Sequence, residues 1–301
     1  MTREVQMNTD LKIGAVFPQT EIGPDPAAVA EYARTVESMG YDHLVVYDHI
    51  LGANADSRPG WSGAYRSSDQ FHEVFVLYGY LAAVTERIGL SIGVLVAPLR
   101  QTGLVAKQAA AVDLLSRGRL RLGVGVGWNH VEYEAQGENF ADRGARVEEQ
   151  IDLMRRLWTE DLITYEGRWH TVTDAGINPL PVQQPIPIWM GGGADSVMDR
   201  IGRLANGWFY PGDDHFPDET ALRRKGLIEA AAKSARRNIG DIGIEKIFTH
   251  ASPPASGWSE SIAAWSDYGA THISLNTMNS GLDSLAEHLS VLQAFIKAAR
   301  P

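Results

Sequence analysis

An aspartate and a histidine stand side by side at Asp48 and His49, directly after an apolar run from His43 to Tyr47. Central parallel strands read as continuous apolar runs because both of their faces are covered. A carboxylate and an imidazole just past the end of such a strand lie where α/β proteins keep their reactive groups. Asp48 and His49 are therefore the first candidates for acid–base chemistry. The alternative is a helix-capping aspartate beside a loop histidine.

A glycine-rich run from Gly123 to Trp128 is the second candidate, with further glycines at Gly125 and Gly127. A dinucleotide-binding G-x-G-x-x-G pattern would need its last glycine at Trp128 or, counted from Gly125, at His130. A nicotinamide site is therefore rejected. Two interpretations stay open, namely close packing of a barrel strand and close approach of the backbone to a flat ligand.

A third candidate, Gly191-Gly192-Gly193-Ala194, follows an apolar run and precedes a helical pattern. Backbone N–H groups at a helix N-terminus bind anions, and barrel enzymes often hold a phosphate at such a position. This run predicts a phosphate site, and a flexible loop is the alternative.

The segment from Leu51 to Phe71 carries Trp61, Tyr65 and Arg66 without a helix or strand pattern. Long loops in compact domains are usually functional or disordered. We expect a lid in this segment, and scattered surface aromatic side chains are the alternative.

A polar stretch follows Trp128. Asn129 and His130 could form a polar edge beside a stacked ring, next to the indole of Trp128. Glu132 either anchors the loop or binds a ligand, and the residues alone leave both roles open.

Composition excludes several classes of function. The chain has no cysteine, which removes disulfides, thiolate nucleophiles and thiolate metal ligands and fits a reducing cytoplasm. Its nine histidines show no metal-binding spacing, and no G-x-S-x-G motif is present, so neither a metal site nor serine hydrolysis is expected. The net charge of −10 argues against nucleic acid or an anionic membrane as partner. No apolar stretch is long enough to predict a membrane span.

Strand and helix patterns alternate along the chain and must position these candidates. Strands are predicted at 12–17, 43–47, 88–96, 120–126, 186–190, 207–210, 242–249 and 272–276, and helices at 26–40, 73–86, 102–116, 145–158, 195–205, 218–237, 259–268 and 282–299. Eight strand–helix units predict an α/β fold of the (β/α)8 TIM-barrel class, with an insertion at 162–184 between strands four and five. We interpret 1–10 as a flexible lead-in and 11–301 as a single catalytic domain.

These pieces, in this order, resemble the luciferase-like monooxygenase superfamily, specifically its branch dependent on the deazaflavin coenzyme F420. The resemblance covers nearly the whole chain. It rests on the motifs Ile13-Gly14-Ala15-Val16-Phe17-Pro18, Tyr47-Asp48-His49, Ile92-Gly93-Val94-Leu95, the run from Arg119 to Trp128, and the run from Ile186 to Gly192. Asp-His after strand two resembles the deazaflavin branch, whereas FMN-using relatives more often carry Glu-His-His there.

The resemblance implies roles for individual residues. Asp48 would contact the cofactor, and His49 would lie by its redox carbon and act as acid or base. The peptide between Gly93 and Val94 would be cis and would press on one face of the ring. Further contacts are implied for two groups, pocket-lining Gly123, Gly125 and Gly127, and phosphate-binding Gly191, Gly192, Gly193 and Ala194.

One departure from the family pattern concerns Trp128. The sugar-phosphate dehydrogenases of this branch place a glutamate where Trp128 falls, and an indole cannot donate a proton to a sugar. We therefore expect Trp128, with Trp61, to line an apolar or aromatic substrate pocket, and we do not expect glucose 6-phosphate as substrate.

The cofactor implied by the resemblance decides the class of reaction. Deazaflavin carries a carbon in place of the flavin N5, which favours hydride transfer over chemistry with oxygen. The expected function is hydride transfer between F420 and a small organic substrate, in a cytoplasmic homodimer. The alternatives are an FMN-dependent luciferase-like monooxygenase and a non-catalytic flavin-binding relative.

Overall fold

A computed structural model of the chain describes residues 11–300, so the predicted lead-in at 1–10 and residue 301 lie outside the described range. The strands in that range are β1 (Lys12–Val16), β2 (His43–Val46), β3 (Gly89–Val96), β4 (Leu120–Gly125), β5 (Ile163–Glu166), β6 (Thr171–Ala175), β7 (Ile188–Gly191), β8 (Gly207–Tyr210), β9 (Gly243–Thr249) and β10 (His272–Asn276). The helices are α1 (Pro26–Ser38), α2 (Val74–Val84), α3 (Thr102–Leu115), α4 (His130–Gln136), α5 (Arg143–Thr159), α6 (Asp195–Leu204), α7 (Glu219–Ser234), α8 (Trp258–Tyr268) and α9 (Leu285–Ala299).

Within residues 11–300, eight strands form a closed parallel barrel in the order β1-β10-β9-β8-β7-β4-β3-β2. Strands β5 and β6 pair antiparallel as a separate two-stranded sheet, and they lie between β4 and β7 along the chain. The predicted TIM barrel is therefore confirmed, and so is the predicted insertion between the fourth and fifth barrel strands.

One helix, α4, was not predicted from the sequence. Its two ends do carry sequence signals. The side chain of Asn129 accepts the N–H of Val131 at 3.1 Å as an N-cap, and Gly137 ends the helix with a positive φ of 68°. Another predicted helix begins later than expected, at Leu285, because Ser284 caps it. Short helices bury few residues, so hydrophobic periodicity alone does not reveal them.

The described chain divides into two compact units. The first unit comprises residues 11–45, 87–89 and 189–300, and the second comprises 46–86 and 90–188. The expectation of one catalytic domain over 11–301 stays a prediction.

The core of the first unit contains a polar cluster. Nε2 of the buried His43 lies 2.9 Å from Oε1 of Glu245 and 3.0 Å from Oγ of Ser274. A Cβ atom at Gly14 would lie 2.2 Å from both the imidazole nitrogen and the hydroxyl oxygen. Glycine is therefore required at this point of β1, because any side chain would displace a buried hydrogen-bonded cluster.

The second unit ties α4 to the end of β4. The hydroxyl of Tyr133 donates to the carbonyl oxygen of Val126 at 2.6 Å, and its ring packs edge-on against Phe140 at 5.1 Å between centroids. Tyr133 is 2% exposed, so this contact belongs to the core. The first turn of α4, which carries Glu132, is thereby held in one place.

Candidate active site

His49 follows β2 and meets a carboxylate from the first turn of α4, Glu132. Nδ1 of His49 lies 3.1 and 3.3 Å from the two carboxylate oxygens. Oε1 of Glu132 also accepts the backbone N–H groups of Ile50 at 2.7 Å and Leu51 at 3.3 Å. The exposed fractions of the side chains are 9% for His49 and 2% for Glu132. Of the two roles left open for Glu132, this geometry supports the anchoring one.

Burial and four interactions act on the pKa of Glu132. Burial alone would raise it, because water stabilises the charged form better than the protein interior does. The hydrogen bond and charge of His49, with the N–H groups of Ile50 and Leu51, outweigh burial and lower the pKa. Glu132 is therefore ionised at neutral pH, so its carboxylate accepts hydrogen bonds and donates none.

Asp48 is fully buried and belongs to an ion-pair chain. Its Oδ1 accepts from Nη2 of Arg100 at 2.7 Å, and its Oδ2 accepts the N–H of Val96 at 3.2 Å. Nη1 of Arg100 donates to Oε1 of Glu73 at 2.9 Å. Burial raises the pKa of Asp48, and Arg100 opposes that rise.

This arrangement gives Asp48 a structural role. The Asp48 side chain is 0% exposed, so it ties the segment after β2 to the end of β3. Its predicted contact with a cofactor stays a prediction. Arg100 was not among the predicted site residues, although a cation just after an apolar strand was a signal that could have found it.

The peptide between Gly93 and Val94 in β3 is cis, as the resemblance implied. The pairing of β3 with β4 shifts register at this point. A Cβ atom at Gly125 would lie 2.5 Å from Cγ2 of Val94, and one at Gly127 would lie 2.6 Å from Cγ1 of Val96. Close packing between strands thus accounts for these two glycines, and their contact with a flat ligand stays a prediction.

Aromatic side chains surround His49. Its ring centroid lies 4.0 Å from that of Tyr65, 5.3 Å from that of Phe71 and 6.0 Å from that of Trp128. Trp61 in turn lies 5.9 Å from Trp128. Two of these rings, Tyr65 and Phe71, come from the segment predicted as a lid, and they cover the imidazole.

Two cavities in the second unit adjoin these side chains. One, of about 410 Å³, is lined by Gly60, Trp61, Ser62, Gly63, Ala64, Trp128 and His130. The other, of about 590 Å³, is lined by His49, Ile50, Phe71, Glu73, Val76, Leu99, Arg100, Gln101, Leu104, Val105, Gln108, Gln136 and Glu138. The second cavity reaches the imidazole, and the first reaches both predicted pocket tryptophans. Their volumes fall within the range of small-molecule sites.

The glycine run of the first unit joins β7 to α6. Gly192 has a φ of 131°, and its carbonyl oxygen accepts from Nε1 of the buried Trp208 at 3.0 Å. The carbonyl oxygen of Gly193 accepts from Nε of Arg224 at 3.2 Å. The loop is therefore held in place, which disfavours the flexible-loop alternative. A guanidinium adds positive charge beside it, and phosphate binding by Gly191, Gly192, Gly193 and Ala194 stays a prediction.

No group of three or more histidine, aspartate or glutamate side chains in residues 11–300 is arranged to hold a metal ion. Over the same described range, no helix combines the length and apolar character that crossing a membrane requires.

Comparisons with known proteins place the chain in a family. The family model for luciferase-like monooxygenase matches residues 11–292. An uncharacterised protein of Mycobacterium tuberculosis is 36% identical over 237 residues, which cover 76% of this chain and 81% of the relative. An F420-dependent glucose-6-phosphate dehydrogenase of Amycolatopsis mediterranei is 31% identical over 236 residues, covering 74% of this chain and 65% of that enzyme.

A structural comparison agrees on the fold. The solved structure of an F420-dependent secondary alcohol dehydrogenase in complex with an F420-acetone adduct superposes with a TM-score of 0.76 at 15% identity, over 97% of this chain and 99% of that one. At that identity the likeness shows the fold alone. The family match over residues 11–292 carries the assignment, and the chain belongs to the luciferase-like monooxygenase family.

Proposed function

We propose that this protein is an F420-dependent oxidoreductase that moves a hydride between the deazaflavin and a small organic substrate. The observation that carries the proposal is the His49 imidazole, which is held by a buried carboxylate and lines a cavity of about 590 Å³. Relatives named as F420-dependent glucose-6-phosphate dehydrogenases, 31% and 30% identical, support the choice of cofactor. The Tyr47-Asp48-His49 motif supports it from the sequence.

The second unit offers a surface that fits a flat ring. Gly93 and Val94 are partly exposed in the middle of β3, where their neighbours in the strand are buried. Gly127 is partly exposed after β4 and has no side chain to obstruct a ring. These three residues would hold the ring. When bound, F420 supplies a ring carbon that accepts or releases a hydride.

The chain's own residues would handle the proton that accompanies the hydride. A substrate oxygen must gain or lose a proton as its carbon is reduced or oxidised, and a positioned imidazole suits that transfer. His49 is the group we assign to it. Tyr65 and Phe71 cover His49 and would keep water from the reacting atoms.

We propose a neutral, planar substrate, whose ring would lie in the 410 Å³ cavity beside Trp128 and whose reacting oxygen would reach His49, because the ring centroids of Trp128 and His49 are 6.0 Å apart. No lining residue of the 410 Å³ cavity carries a formal charge at neutral pH except His130 when it is protonated, and two indoles, Trp61 and Trp128, form much of its wall. A sugar phosphate would leave its dianion without a partner there, whereas an aromatic ring would gain stacking contacts. This supports the expectation that glucose 6-phosphate is not the substrate.

Titration of tryptophan fluorescence tests the substrate class, with 2-naphthol and glucose 6-phosphate as probes. We expect saturable quenching by 2-naphthol alone, lost in Trp61→Ala and retained in the control Trp169→Ala, which alters a partly exposed tryptophan outside the cavity. Saturable binding of glucose 6-phosphate without binding of 2-naphthol would contradict the neutral-substrate proposal.

A fluorescence titration with F420 and with FMN tests the cofactor. We expect F420 to bind the protein more tightly than FMN. Tighter binding of FMN would favour the monooxygenase alternative. Binding of either cofactor without turnover in a screen with oxidised and reduced F420 would favour the non-catalytic alternative.

The variant His49→Ala tests the proton-transfer role. We expect F420 affinity to stay within a few-fold and turnover to fall by about 100-fold or more, because general acid–base catalysis contributes on that scale. Turnover equal to that of the wild type would remove His49 from the mechanism.

We propose that the protein is a homodimer that pairs through α2 and α3. Helix α2 contains no charged residue, yet Val76 is 72% exposed, and Leu115 at the end of α3 is 64% exposed. A helix that is apolar on all sides is normally buried.

Light scattering after gel filtration should give twice the chain mass of 32.9 kDa. Val76→Glu should give a monomer, and Val182→Glu, on an exposed valine elsewhere, should not. A monomeric wild type would refute the proposal.

The cytoplasmic location stays a prediction.

A further inference from the structure

Glu132 is a buried acid at which three donors converge. Nδ1 of His49 and the N–H groups of Ile50 and Leu51 all lie within 3.3 Å of its oxygens. An ionised carboxylate is costly to bury unless such donors surround it. Here the donors come from the segment after β2, and the acid comes from α4. The arrangement therefore fixes the imidazole relative to the backbone on which it sits.

The ionised carboxylate decides which nitrogen of His49 carries a hydrogen in the neutral ring. Because Glu132 only accepts, the nitrogen that faces it must donate, and that nitrogen is Nδ1. In the neutral imidazole the other nitrogen, Nε2, is then unprotonated. The rings of Tyr65, Phe71 and Trp128 surround the imidazole, and the cavity of about 590 Å³ reaches it.

We propose that Glu132 is a positioning residue that holds the hydrogen on Nδ1 of His49 and reserves Nε2 for proton exchange with the substrate. This inference rests on the proposed function. When a substrate alcohol is oxidised, its carbon loses a hydride to the deazaflavin and its oxygen loses a proton to Nε2 as the C=O bond forms. In the reverse direction, Nε2–H returns the proton to the carbonyl oxygen as the carbon gains the hydride.

Other charged and titratable groups near His49 do not replace Glu132 in this role. Burial and the charge of Asp69 raise the pKa of Tyr65 to about 12, so its phenol stays protonated. Arg100 and Glu73, which line the same cavity, are paired with each other, and Arg100 is also paired with Asp48. Glu138, a further lining residue, is paired with Arg146.

The test is long-range ¹H–¹⁵N NMR of the histidine rings in the protein without cofactor, with the His49 signals assigned by their loss in His49→Ala. In the wild type we expect the neutral His49 ring to carry its hydrogen on Nδ1. In Glu132→Gln the carboxamide oxygen can keep the bond from the Ile50 N–H, which turns the amide NH₂ toward Nδ1. We therefore expect the hydrogen to move to Nε2 in that variant.

The matched control is Glu134→Gln, on an exposed glutamate two positions further along α4, and it should leave the His49 signals unchanged. A wild-type ring with its hydrogen on Nε2 would overturn the inference. So would a folded Glu132→Gln with the wild-type tautomer. The wild-type measurement does not use Glu132→Gln, so it decides the matter even if that variant does not fold.

Cofactor titration of the protein used for NMR distinguishes failure of this inference from failure of the proposed function. Binding of F420 by a protein with the hydrogen on Nε2 would overturn the role of Glu132 alone. A hydrogen on Nδ1 in a protein that binds FMN more tightly than F420 would overturn the cofactor proposal alone.

Discussion

Lys246 is fully buried in the first unit, on β9, and its charge should make stability depend on pH. Nζ donates to the carbonyl oxygen of Gly212 and lies 5.1 Å from the ring centroid of Tyr210 and 5.0 Å from that of Trp265. Burial lowers the pKa of Lys246 from 10.5 to about 8, against the opposing charges of two nearby aspartates. The folded protein therefore releases the lysine proton at a lower pH than the unfolded chain does.

The magnitude follows from the two pKa values. Each tenfold change in proton affinity is worth about 1.36 kcal/mol, so the fall from 10.5 to about 8 corresponds to about 3 kcal/mol. Below about pH 8 the lysine is protonated in both states, and the cost of burying its charge is fully present. As the pH rises from 8 toward 10.5, the unfolded chain holds more protons, so stability rises. About 2.5 kcal/mol of the gain falls between about pH 7 and about pH 10.

Lys246→Met removes the charge and keeps a long, flexible, apolar side chain of similar length. Urea denaturation followed by tryptophan fluorescence gives the free energy of unfolding of both proteins across this pH range. We expect the value for the wild type minus that for the variant to rise by about 2.5 kcal/mol from about pH 7 to about pH 10. Other groups titrate equally in both proteins and cancel in the difference.

The same substitution at an exposed lysine, Lys297→Met on α9, is the control, and its difference from the wild type should not change with pH. A difference for Lys246→Met that stays constant within about 0.5 kcal/mol over the range would refute the reasoning. In that case the pKa of Lys246 would not be lowered in the folded protein, because groups other than Gly212, Tyr210 and Trp265 would stabilise the ammonium charge.

Two further predictions concern stability and use the same urea measurement. Gly14→Ala should lower the free energy of unfolding by about 1–3 kcal/mol, because its Cβ would lie 2.2 Å from Nε2 of His43. Gly226→Ala, on the exposed side of α7 with no neighbouring group within 4 Å of the new Cβ, should raise it by about 0.5–1 kcal/mol, and equal effects at the two glycines would contradict the packing argument. Arg100→Met should cost about 3 kcal/mol at neutral pH, because it leaves the carboxylate of Asp48 buried without its cation. That cost should shrink on acidification as Asp48 takes up a proton, and a cost independent of pH would contradict the account of this ion pair.

Local patterns in the chain were enough to predict the barrel. A buried parallel strand must be apolar on both faces, so runs such as His43–Val46 and Gly207–Tyr210 stand out without knowledge of their neighbours. Helix ends are marked by caps that act over three or four residues, as with Asp25 before α1, whose side chain accepts the N–H of Ala27. The short helix α4 was missed because its signal lay in caps and not in periodicity.

The strand and helix patterns, the family motifs and the place of His49 directly after β2 could all be predicted from the chain, because each is a local feature of the sequence. Which acid contacts that histidine could be seen only in the folded protein. Asp48 is adjacent in sequence, yet it pairs with Arg100, and the imidazole instead meets Glu132, 83 positions away. Pairing of buried charges depends on which side chains the packed strands and helices bring within hydrogen-bond distance, and no local pattern records that distance.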